Sequence, residues 1–317
     1  MNIVYFGSGQ FGINCLDAIA DSKHKITLVV TQPPRSAGRG RKQKPTPVAS
    51  WAASKSIPLI KTGNANDKTV VEQIARTGPD LIVVIAFGQK VSKELTELPP
   101  KGAINVHSSL LPKYRGAAPI NWAIINGETE TGISIITLAE KMDAGQILAR
   151  SKTSIGPNET AGQLHDRLAQ LSAPLLVETI DQIANGAAVY EEQDHSRATL
   201  APKLRKSDGW IDFTQDADAI LRKIRGLWPW PGASADYIAK AGGKAIRVTI
   251  AMAETVETSD PKDLEPGALD ANLNVACGRN ALNITSIKPE GSRLMDFKSF
   301  VNGRNTKPGD TFVTIQG

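Results

Sequence analysis

Three polar residues, Asn105, His107 and Asp143, carry side chains that together can move a proton and stabilise an oxyanion. The first two lie two positions apart at the end of an apolar run, residues 103–106, bounded by proline and glycine, so we predict a buried strand with both side chains on one face. An imidazole takes up or donates a proton, and an amide adds a second donor to the same oxygen. Asp143 follows the apolar run 133–138, and its carboxylate could hold the imidazole ring. On spacing alone, an alternative stays open, in which these residues only satisfy a strand end and a turn.

Alternating strands and helices are predicted to position these side chains. Apolar runs of strand length occupy residues 3–6, 26–30, 81–85, 103–106 and 133–138, and another strand is expected over residues 146–153. Helical patterns occupy residues 48–54, 69–75, 120–125 and 160–184. This alternation predicts a Rossmann-like α/β fold with a parallel sheet and right-handed crossovers. Ligands bind such sheets where strands end. Residues 86–88 follow the most apolar strand at the same sheet edge as His107.

The glycines at positions 7, 9 and 12 form Gly-x-Gly-x-x-Gly between a predicted strand and a predicted helix. That pattern is typical of dinucleotide-binding proteins, which also place an acidic residue at the end of the second strand. Here the second strand ends in Thr31 and Gln32. We therefore interpret the glycines as a turn that lets helix and strand pack closely. A dehydrogenase remains an alternative that saturable nicotinamide binding would support.

A second domain is expected, because 317 residues exceed the size at which one core is usual. Residues 190–206 lose periodicity and become charged, which is typical of a linker. Beyond them, short β-like runs at 245–252, 273–276 and 281–287 are separated by Gly, Asp and Pro. Such spacing predicts a small barrel or sandwich. We thus expect a first domain over residues 1–189, a linker over 190–206 and a second domain over 207–317.

The positive charge of the chain is concentrated near its start. The net charge is +5, and residues 1–190 carry 20 Lys and Arg against 15 Asp and Glu, while residues 191–317 carry 17 of each. No acidic residue occurs between Asp21 and Asp67, and one segment contains Arg35, Arg39, Arg41, Lys42 and Lys44. Its prolines and glycines argue against any regular element from residue 33 to 47. An unneutralised basic loop suits a polyphosphate partner, and the alternative is a solvated loop with no partner.

Composition argues against several classes of protein. No apolar stretch approaches the ~18 residues of a membrane span, and the first residues do not resemble a signal peptide. The two cysteines, Cys15 and Cys277, are far apart and suit a reducing compartment. The four histidines are scattered, with no pair at metal-ligand spacing. We expect no metal site and no membrane association.

Longer motifs point to one family. The run NVHSSLLPKYRGAAP from Asn105 to Pro119, followed by MDAG around Asp143, closely resembles the signature of the folate-dependent formyltransferases. The resemblance extends over essentially the whole chain, including GRGRK early and LWPWPG late. It is closest to the members of the family that formylate methionine on initiator tRNA. One departure is Ser8-Gly9, where the family usually has Thr-Pro.

The resemblance implies roles for specific residues. Asn105, His107 and Asp143 match the catalytic set of the family. The folate site would include Ser109, Leu110, Leu111 and Pro112, with Phe87 and Gly88 against the pterin. The basic segment would enter the acceptor end of the tRNA, and the residues implied to bind it are Arg35, Arg39, Arg41 and Lys42. The second domain would be a β-barrel of oligonucleotide-binding type.

The same resemblance implies 10-formyltetrahydrofolate as co-substrate and methionyl initiator tRNA as acceptor. We expect a cytoplasmic monomer that acts in translation initiation. The nearest alternative is a related formyltransferase acting on a nucleotide-linked amino sugar or a purine intermediate. The amino-sugar enzymes lack the arginine-rich loop, and the purine enzymes lack a second domain. A formyltetrahydrofolate hydrolase would use similar residues with water as acceptor.

Two other mechanisms fit the sequence less well. Ser108 and Ser109 neighbour His107, but the Gly-x-Ser-x-Gly turn of a serine hydrolase does not occur there. We therefore reject a triad hydrolase. A tRNA-binding protein without catalysis is the alternative from a different class, and the intact set of Asn105, His107 and Asp143 argues against it.

Overall fold

Strands and helices alternate through the first half of the chain. The computed structural model describes residues 1–37, 42–258 and 264–316. Its strands, in chain order, are β1 (Asn2–Gly7), β2 (Lys25–Thr31), β3 (Arg35–Ala37), β4 (Lys42–Lys44), β5 (Leu59–Lys61), β6 (Leu81–Ile85), β7 (Ala103–His107), β8 (Arg115–Gly116), β9 (Glu130–Thr137), β10 (Ile147–Ser154), β11 (Leu200–Ala201), β12 (Ala233–Ile238), β13 (Ile246–Val256), β14 (Val275–Ala276), β15 (Ala281–Pro289), β16 (Met295–Asp296) and β17 (Thr311–Val313). Its α-helices are α1 (Ile13–Ala20), α2 (Pro47–Ser54), α3 (Lys68–Ala75), α4 (Lys93–Glu97), α5 (Pro119–Ile125), α6 (Ala161–Ala184), α7 (Ala217–Leu227) and α8 (Phe297–Arg304). None of the helices in the described ranges is long and apolar enough to cross a membrane.

A seven-stranded sheet forms the centre of the N-terminal part, in the order β10-β9-β7-β6-β1-β2-β5. The five strands from β7 to β5 in this order are all parallel to one another. The middle strand β6 reads LIVVI, and all its residues are buried. A strand covered on both faces is expected to be apolar throughout. The predicted Rossmann-like α/β fold is confirmed.

The edge strands differ from the prediction, because β9 runs antiparallel to β7 and β10 runs antiparallel to β9. Thr137, the last residue of β9, therefore lies opposite Ile104, near the start of β7. The loop that follows β9 begins at the opposite end of β7 from His107. To reach His107, this loop must turn back along β7.

The segment from residue 33 to 47 is more regular than predicted. β3 and β4 pair as an antiparallel hairpin in which Arg35 lies opposite Lys44. α2 then begins at Pro47, and the Thr46 hydroxyl caps it by accepting from the Ala49 amide at 3.0 Å. The expectation of no regular element was wrong because the prolines flank the hairpin, and proline is well tolerated in the first turn of a helix.

The glycine-rich turn after β1 packs as the sequence predicted. A Cβ atom on Gly12 would lie 1.9 Å from the hydroxyl oxygen of Tyr5, a distance no side chain can tolerate. The Tyr5 hydroxyl instead donates to the Gly12 carbonyl at 3.3 Å. Glycine at this position therefore allows the start of α1 to approach β1.

Contacts divide the chain into two compact units that are not contiguous in sequence. The first comprises Met1–Gly116, Glu130–Ser154 and His165–Ala201. The second comprises Ala117–Thr129, Ile155–Leu164 and Pro202–Gly317. Helix α5 thus belongs to the second unit, where the Asn121 side-chain amide donates to the Gly226 carbonyl in α7 at 2.7 Å. The predicted domain boundaries, at residues 189 and 207, stay a prediction.

The second unit contains the small antiparallel barrel expected for the C-terminal part. Its strand order is β14-β15-β13-β12-β17, with β16 paired to β15. Bridges from Ala268 to Thr311 in β17 and from Leu269 to Val275 in β14 connect the two edges. Aromatic side chains fill the interior, and the rings of Tyr237 and Phe300 meet edge to face at 5.2 Å.

A buried carboxylate lies beside this barrel closure. Asp310 is 3% exposed and accepts hydrogen bonds from the Tyr237 hydroxyl at 2.5 Å and from the amides of Lys240 and Lys307 at 2.8 and 2.9 Å. Burial alone would raise the pKa of Asp310, but these hydrogen bonds outweigh it and hold that pKa below its usual value. Burial and the bond to Asp310 raise the pKa of Tyr237 to about 12.

We predict that Asp310→Asn lowers the free energy of unfolding by about 1–3 kcal/mol, because an amide has only one accepting oxygen, and its NH2 group would face either the Lys240 amide or the Tyr237 and Lys307 donors, which bond to different carboxylate oxygens. The carboxyl has a lower pKa folded than unfolded, so its ionised form stabilises the fold above about pH 4, and this contribution is lost as pH falls through the folded pKa. Urea unfolding, followed by tryptophan fluorescence at several pH values, should show a weaker acid dependence in the variant. Exposed Glu265→Gln is the control. Equal acid dependence in wild type and Asp310→Asn would contradict the prediction.

Candidate active site

The site begins at the end of β7. Asn105 lies between Val84 of β6 and Ile136 of β9, and His107 lies opposite Ser134. Because side chains alternate along a strand, Asn105 and His107 share one face, as predicted. Asn105 is partly exposed, while His107 is 5% exposed.

Both ring nitrogens of His107 face fixed oxygen atoms. Nε2 is 2.9 Å from the carbonyl oxygen of Tyr114. A carbonyl can only accept, so the proton lies on Nε2, and this contact sets the tautomer of the ring. Nδ1 faces Oδ2 of Asp143 at 3.6 Å, which is an ion-pair distance too long for a direct hydrogen bond. Proton exchange at this ring is therefore directed to Nδ1, beside the carboxylate.

The Asp143 carboxylate is oriented by the chain segment that follows His107. Its Oδ2 accepts from the Gly116 amide at 2.8 Å, and the side chain is 12% exposed. The backbone of Asp143 has a φ of 53°, in the left-handed region that residues other than glycine seldom adopt. The structure thus brings His107 and Asp143 together, as the sequence predicted, although by a loop that turns back along β7.

Gly145 is what lets this loop close. A Cβ atom there would lie 1.8 Å from the Thr137 carbonyl oxygen, which is backbone and cannot move aside. The Gln146 amide, next in the chain, donates to the Thr137 hydroxyl at 2.9 Å. The glycine of the MDAG motif therefore has a steric explanation.

The predicted folate segment is tied to β9. Ser134 donates its hydroxyl to the Ser109 carbonyl at 2.8 Å and accepts from the Leu111 amide at 3.0 Å. Ser109 is fully buried, and its own hydroxyl donates to the Lys113 carbonyl at 2.7 Å. Leu111 packs in a buried cluster, whereas Leu110 and Pro112 are partly exposed. Of the four, Leu110 and Pro112 are the side chains available to a ligand.

Phe87 and Gly88 follow β6, the neighbour of β7. The ring of Phe87 is 2% exposed and meets Phe6 edge to face at 5.2 Å. The backbone carbonyl of Phe87 accepts a hydrogen bond from the Gln32 side-chain amide at 2.7 Å. Beside it is an open cleft of about 280 Å³, lined by Gln32, Pro33, Pro34, Gly63, Gly88 and Gln89. Gly88, and not Phe87, therefore lines the accessible cleft.

Half of the predicted tRNA-binding residues lie beyond what the structure describes. Arg39 and Arg41 lie outside the described residues. The backbones of Arg35 and Lys42 form part of the β3–β4 hairpin. Among the described residues, no three metal-ligating side chains come together, and the expectation that the protein has no metal stays a prediction.

Sequence reasoning missed three contributors to the site. The carbonyl of Tyr114 orients His107, and the side chains of Arg115 and Gln193 lie in the network around Asp143. Arg115 and Gln193 are 78 positions apart in the chain. Gln193 falls in the segment interpreted as a linker, so no local pattern could have indicated its burial.

Comparison with known proteins defines the class. The formyl transferase family matches residues 1–180, and the formyl transferase C-terminal domain matches residues 203–305. The chain therefore belongs to the formyl transferase family.

Particular relatives extend the match over nearly the whole chain. It is 40% identical to the methionyl-tRNA formyltransferase of Citrifermentans bemidjiense, over 98% of this chain and 95% of that protein. It is 41% identical to the methionyl-tRNA formyltransferase of Trichlorobacter lovleyi, over 95% and 93%. Among solved structures, WlaRD, a sugar 3N-formyl transferase crystallised with dTDP and 5-N-formyl-THF, matches with a TM-score of 0.64 and 14% identity. That match covers 92% of this chain and 99% of WlaRD, and it shows a shared fold.

We predict that Gly145→Ala displaces the Asp143 loop, because the new Cβ atom cannot fit against the Thr137 carbonyl. Loss of the hydrogen bond from the Gly116 amide to Asp143, worth about 1.5 kcal/mol, should speed hydrogen exchange at that amide by about tenfold. Exchange measured by NMR on the labelled protein tests this. Gly63→Ala is the matched control, since nothing lies within 4 Å of its Cβ position. Unchanged protection of the Gly116 amide in Gly145→Ala would show that Gly145 does not position Asp143.

Proposed function

We propose that this protein transfers a formyl group from 10-formyltetrahydrofolate to the α-amino group of methionine esterified to initiator tRNA. The observation that carries the proposal is the meeting of His107 with Asp143 at 3.6 Å, beside Asn105, in a formyl transferase chain. Relatives that are about 40% identical over nearly the full length, named methionyl-tRNA formyltransferase, support the acceptor. The structure of WlaRD, determined in the presence of 5-N-formyl-THF, supports a folate as the donor.

The reaction forms one carbon–nitrogen bond and breaks another. The methionine amine attacks the formyl carbon, and the formyl oxygen becomes the oxyanion of a tetrahedral intermediate. The nitrogen of the amine loses a proton, and N10 of the folate gains one as its bond to the formyl carbon breaks. No covalent bond to the protein is required.

We assign the chemistry to the three residues at the end of β7 and in the Asp143 loop. The Asn105 amide would donate to the oxyanion, and the His107 ring would do so from Nδ1 once that nitrogen is protonated, since Nε2 is engaged by the Tyr114 carbonyl; such donors are typically worth a few kcal/mol each. Asp143 would hold the ring through Nδ1 and assist proton movement, directly or through water. The Tyr114 carbonyl keeps the other nitrogen protonated.

Substrate binding is assigned to segments on either side of the catalytic set. Leu110 and Pro112 would contact the folate, with the main chain of Phe87 and Gly88 against the pterin. Buried Ser109 and Leu111 would shape this segment. Arg35, Arg39, Arg41 and Lys42 would bind the acceptor end of the tRNA, because arginine forks pair with phosphates and stack on bases. The C-terminal barrel would bind more of the tRNA. We place the protein in the cytoplasm as a monomer.

The acceptor is tested by a discontinuous formylation assay with purified protein, 10-formyltetrahydrofolate and charged methionyl initiator tRNA. We expect formylmethionine only with charged tRNA, and none with uncharged tRNA or a nucleotide-linked amino sugar. Formylation of the sugar would support the proposed formyl-transfer chemistry but show that the acceptor is an amino sugar. Release of formate without any acceptor would indicate a hydrolase. Saturable tRNA binding with no product in any arm would indicate a binding protein.

His107→Ala should lower kcat by about 10²–10⁴-fold, because it removes both a proton-transfer group and an oxyanion donor. Asn105→Ala removes a donor alone and should cost about 10²–10³-fold. Steady-state kinetics should show little change in either KM, since these contacts form mainly in the transition state. His165→Ala, at a partly exposed histidine elsewhere in the chain, is the control. Near-normal turnover by His107→Ala would refute the assigned mechanism.

Salt dependence tests the basic segment. Alanine at Arg39 or Arg41 should raise the KM for charged tRNA and leave the KM for folate unchanged. The logarithm of the tRNA binding constant falls linearly with the logarithm of the salt concentration, and the magnitude of this salt slope should decrease by about one for each phosphate that the variant no longer neutralises. Lys55→Ala removes an exposed cation outside the segment and serves as the control. The assignment fails if the Arg39 and Arg41 variants bind tRNA with the affinity and salt slope of Lys55→Ala.

A further inference from the structure

The backbone of the Asp143 loop is held by one buried side chain from a distant segment. Gln193 is 5% exposed, and its Nε2 donates to the carbonyl of Asp143 at 2.8 Å and to the carbonyl of Gly145 at 2.7 Å. Both hydrogens of the amide are therefore used on the two residues that flank Ala144. Gln193 contacts the catalytic loop without touching the Asp143 carboxylate.

The orientation of the Gln193 amide is set by Arg115. The guanidinium donates to Oε1 of Gln193 from Nη2 at 2.7 Å and from Nε at 3.2 Å. A guanidinium only donates and a carbonyl only accepts, so the amide oxygen and nitrogen cannot be exchanged. Arg115 Nη2 also lies 2.8 Å from Nδ1 of His195.

The main chain around Gln193 is anchored independently of its side chain. Glu191 and Ile147 exchange two backbone hydrogen bonds at 2.8 and 2.9 Å, and Leu200 pairs with Arg115 in the two-stranded sheet of β8 and β11. Loss of the Gln193 amide would therefore leave residues 191–201 attached. Its effect should be confined to the Asp143 loop.

Asp143 needs such support because its φ of 53° is a conformation that residues other than glycine seldom adopt. A relaxed backbone at this residue would turn the carboxylate away from the ring of His107. The two carbonyls bonded by Gln193 belong to Asp143 and Gly145, so they fix the backbone directly after the residue with the unusual φ. The amide thus opposes this relaxation.

We propose that Gln193, fixed by Arg115, is a positioning residue that aims the Asp143 carboxylate at His107. The assignment rests on the proposed function, in which His107 and Asp143 carry the chemistry. Gln193 acts through Asp143 and has no contact with the reacting atoms. The geometry makes it part of the site, although it lies 50 residues from Asp143 in sequence.

Gln193→Glu is the sharpest test, because it keeps the shape of the side chain. One carboxylate oxygen can still accept from Arg115, while the other would face the carbonyl oxygens of Asp143 and Gly145 and repel them. We expect kcat for formyl transfer to fall about 10–100-fold, as misplacement by about 1 Å does, with both KM values within about twofold of wild type. The matched control is the reverse exchange at the neighbouring exposed position, Glu192→Gln, whose partner Gln146 can still donate to an amide oxygen.

A second readout does not depend on turnover. In protein with ¹⁵N-labelled histidine, the Nδ1 resonance of His107, assigned by its loss in His107→Ala, should move in Gln193→Glu in the same direction as in Asp143→Asn. It should stay in place in Glu192→Gln. If the wild-type protein formylates none of the acceptors, the proposed function is wrong. The His107 resonance would still test whether Gln193 positions Asp143.

Three results would overturn the inference. The first is a kcat for Gln193→Glu that lies within twofold of the kcat for Glu192→Gln. The second is a His107 Nδ1 resonance that does not move in Gln193→Glu. Should Gln193→Glu fail to fold, Gln193→Met supplies the same measurements without the added charge. If that variant also unfolds, or loses kcat only in proportion to its loss of folded protein, the role is structural and the proposal is wrong.

Discussion

The ring of His107 is held through both of its nitrogens, and much of the surrounding structure serves this constraint. Tyr114 and Asp143 supply the two oxygen atoms, and both have positive φ angles, 63° and 53°. Such conformations cost about 1–3 kcal/mol each and persist only where neighbouring contacts impose them. Both unusual residues lie in direct contact with one imidazole. We regard this strain as the means by which two loops define a single ring orientation.

The contacts that impose these conformations come from residues 191–201. Thr199 accepts from the Tyr114 amide at 2.9 Å through its hydroxyl and from the Arg115 amide at 2.8 Å through its carbonyl. Gln193 holds the other loop. One segment therefore supports the partners of both His107 nitrogens. Without it, β7 would still position the imidazole and the Gly116 amide would still bond to the Asp143 carboxylate, but the backbones of Tyr114 and Asp143 would lose these contacts.

The sequence predicted what depends on local pattern. The uninterrupted apolar run of residues 81–85 predicted that β6 lies at the centre of the sheet. The alternation of side chains along a strand predicted that Asn105 and His107 share one face. It could not predict that β9 is antiparallel, because the direction of a strand leaves no mark in its own hydrophobic pattern. The paired strands at residues 35–37 and 42–44 were missed because the prolines that flank them indicate a break in regular structure. Burial of Gln193 depends on partners 50 and 78 positions away, which a polar, aperiodic segment does not reveal.

The interleaving of the two units has a consequence for how the chain can be divided. The backbone passes from one unit to the other after residues 116, 129, 154, 164 and 201. A fragment starting at residue 202 would lack α5, so the Asn121 bond to Gly226 and the packing of Ile125 against that glycine would be missing from α7. The barrel is thus a poor candidate for a transferable module. A single cut in the chain could not separate one unit from the other, because the backbone crosses between them five times.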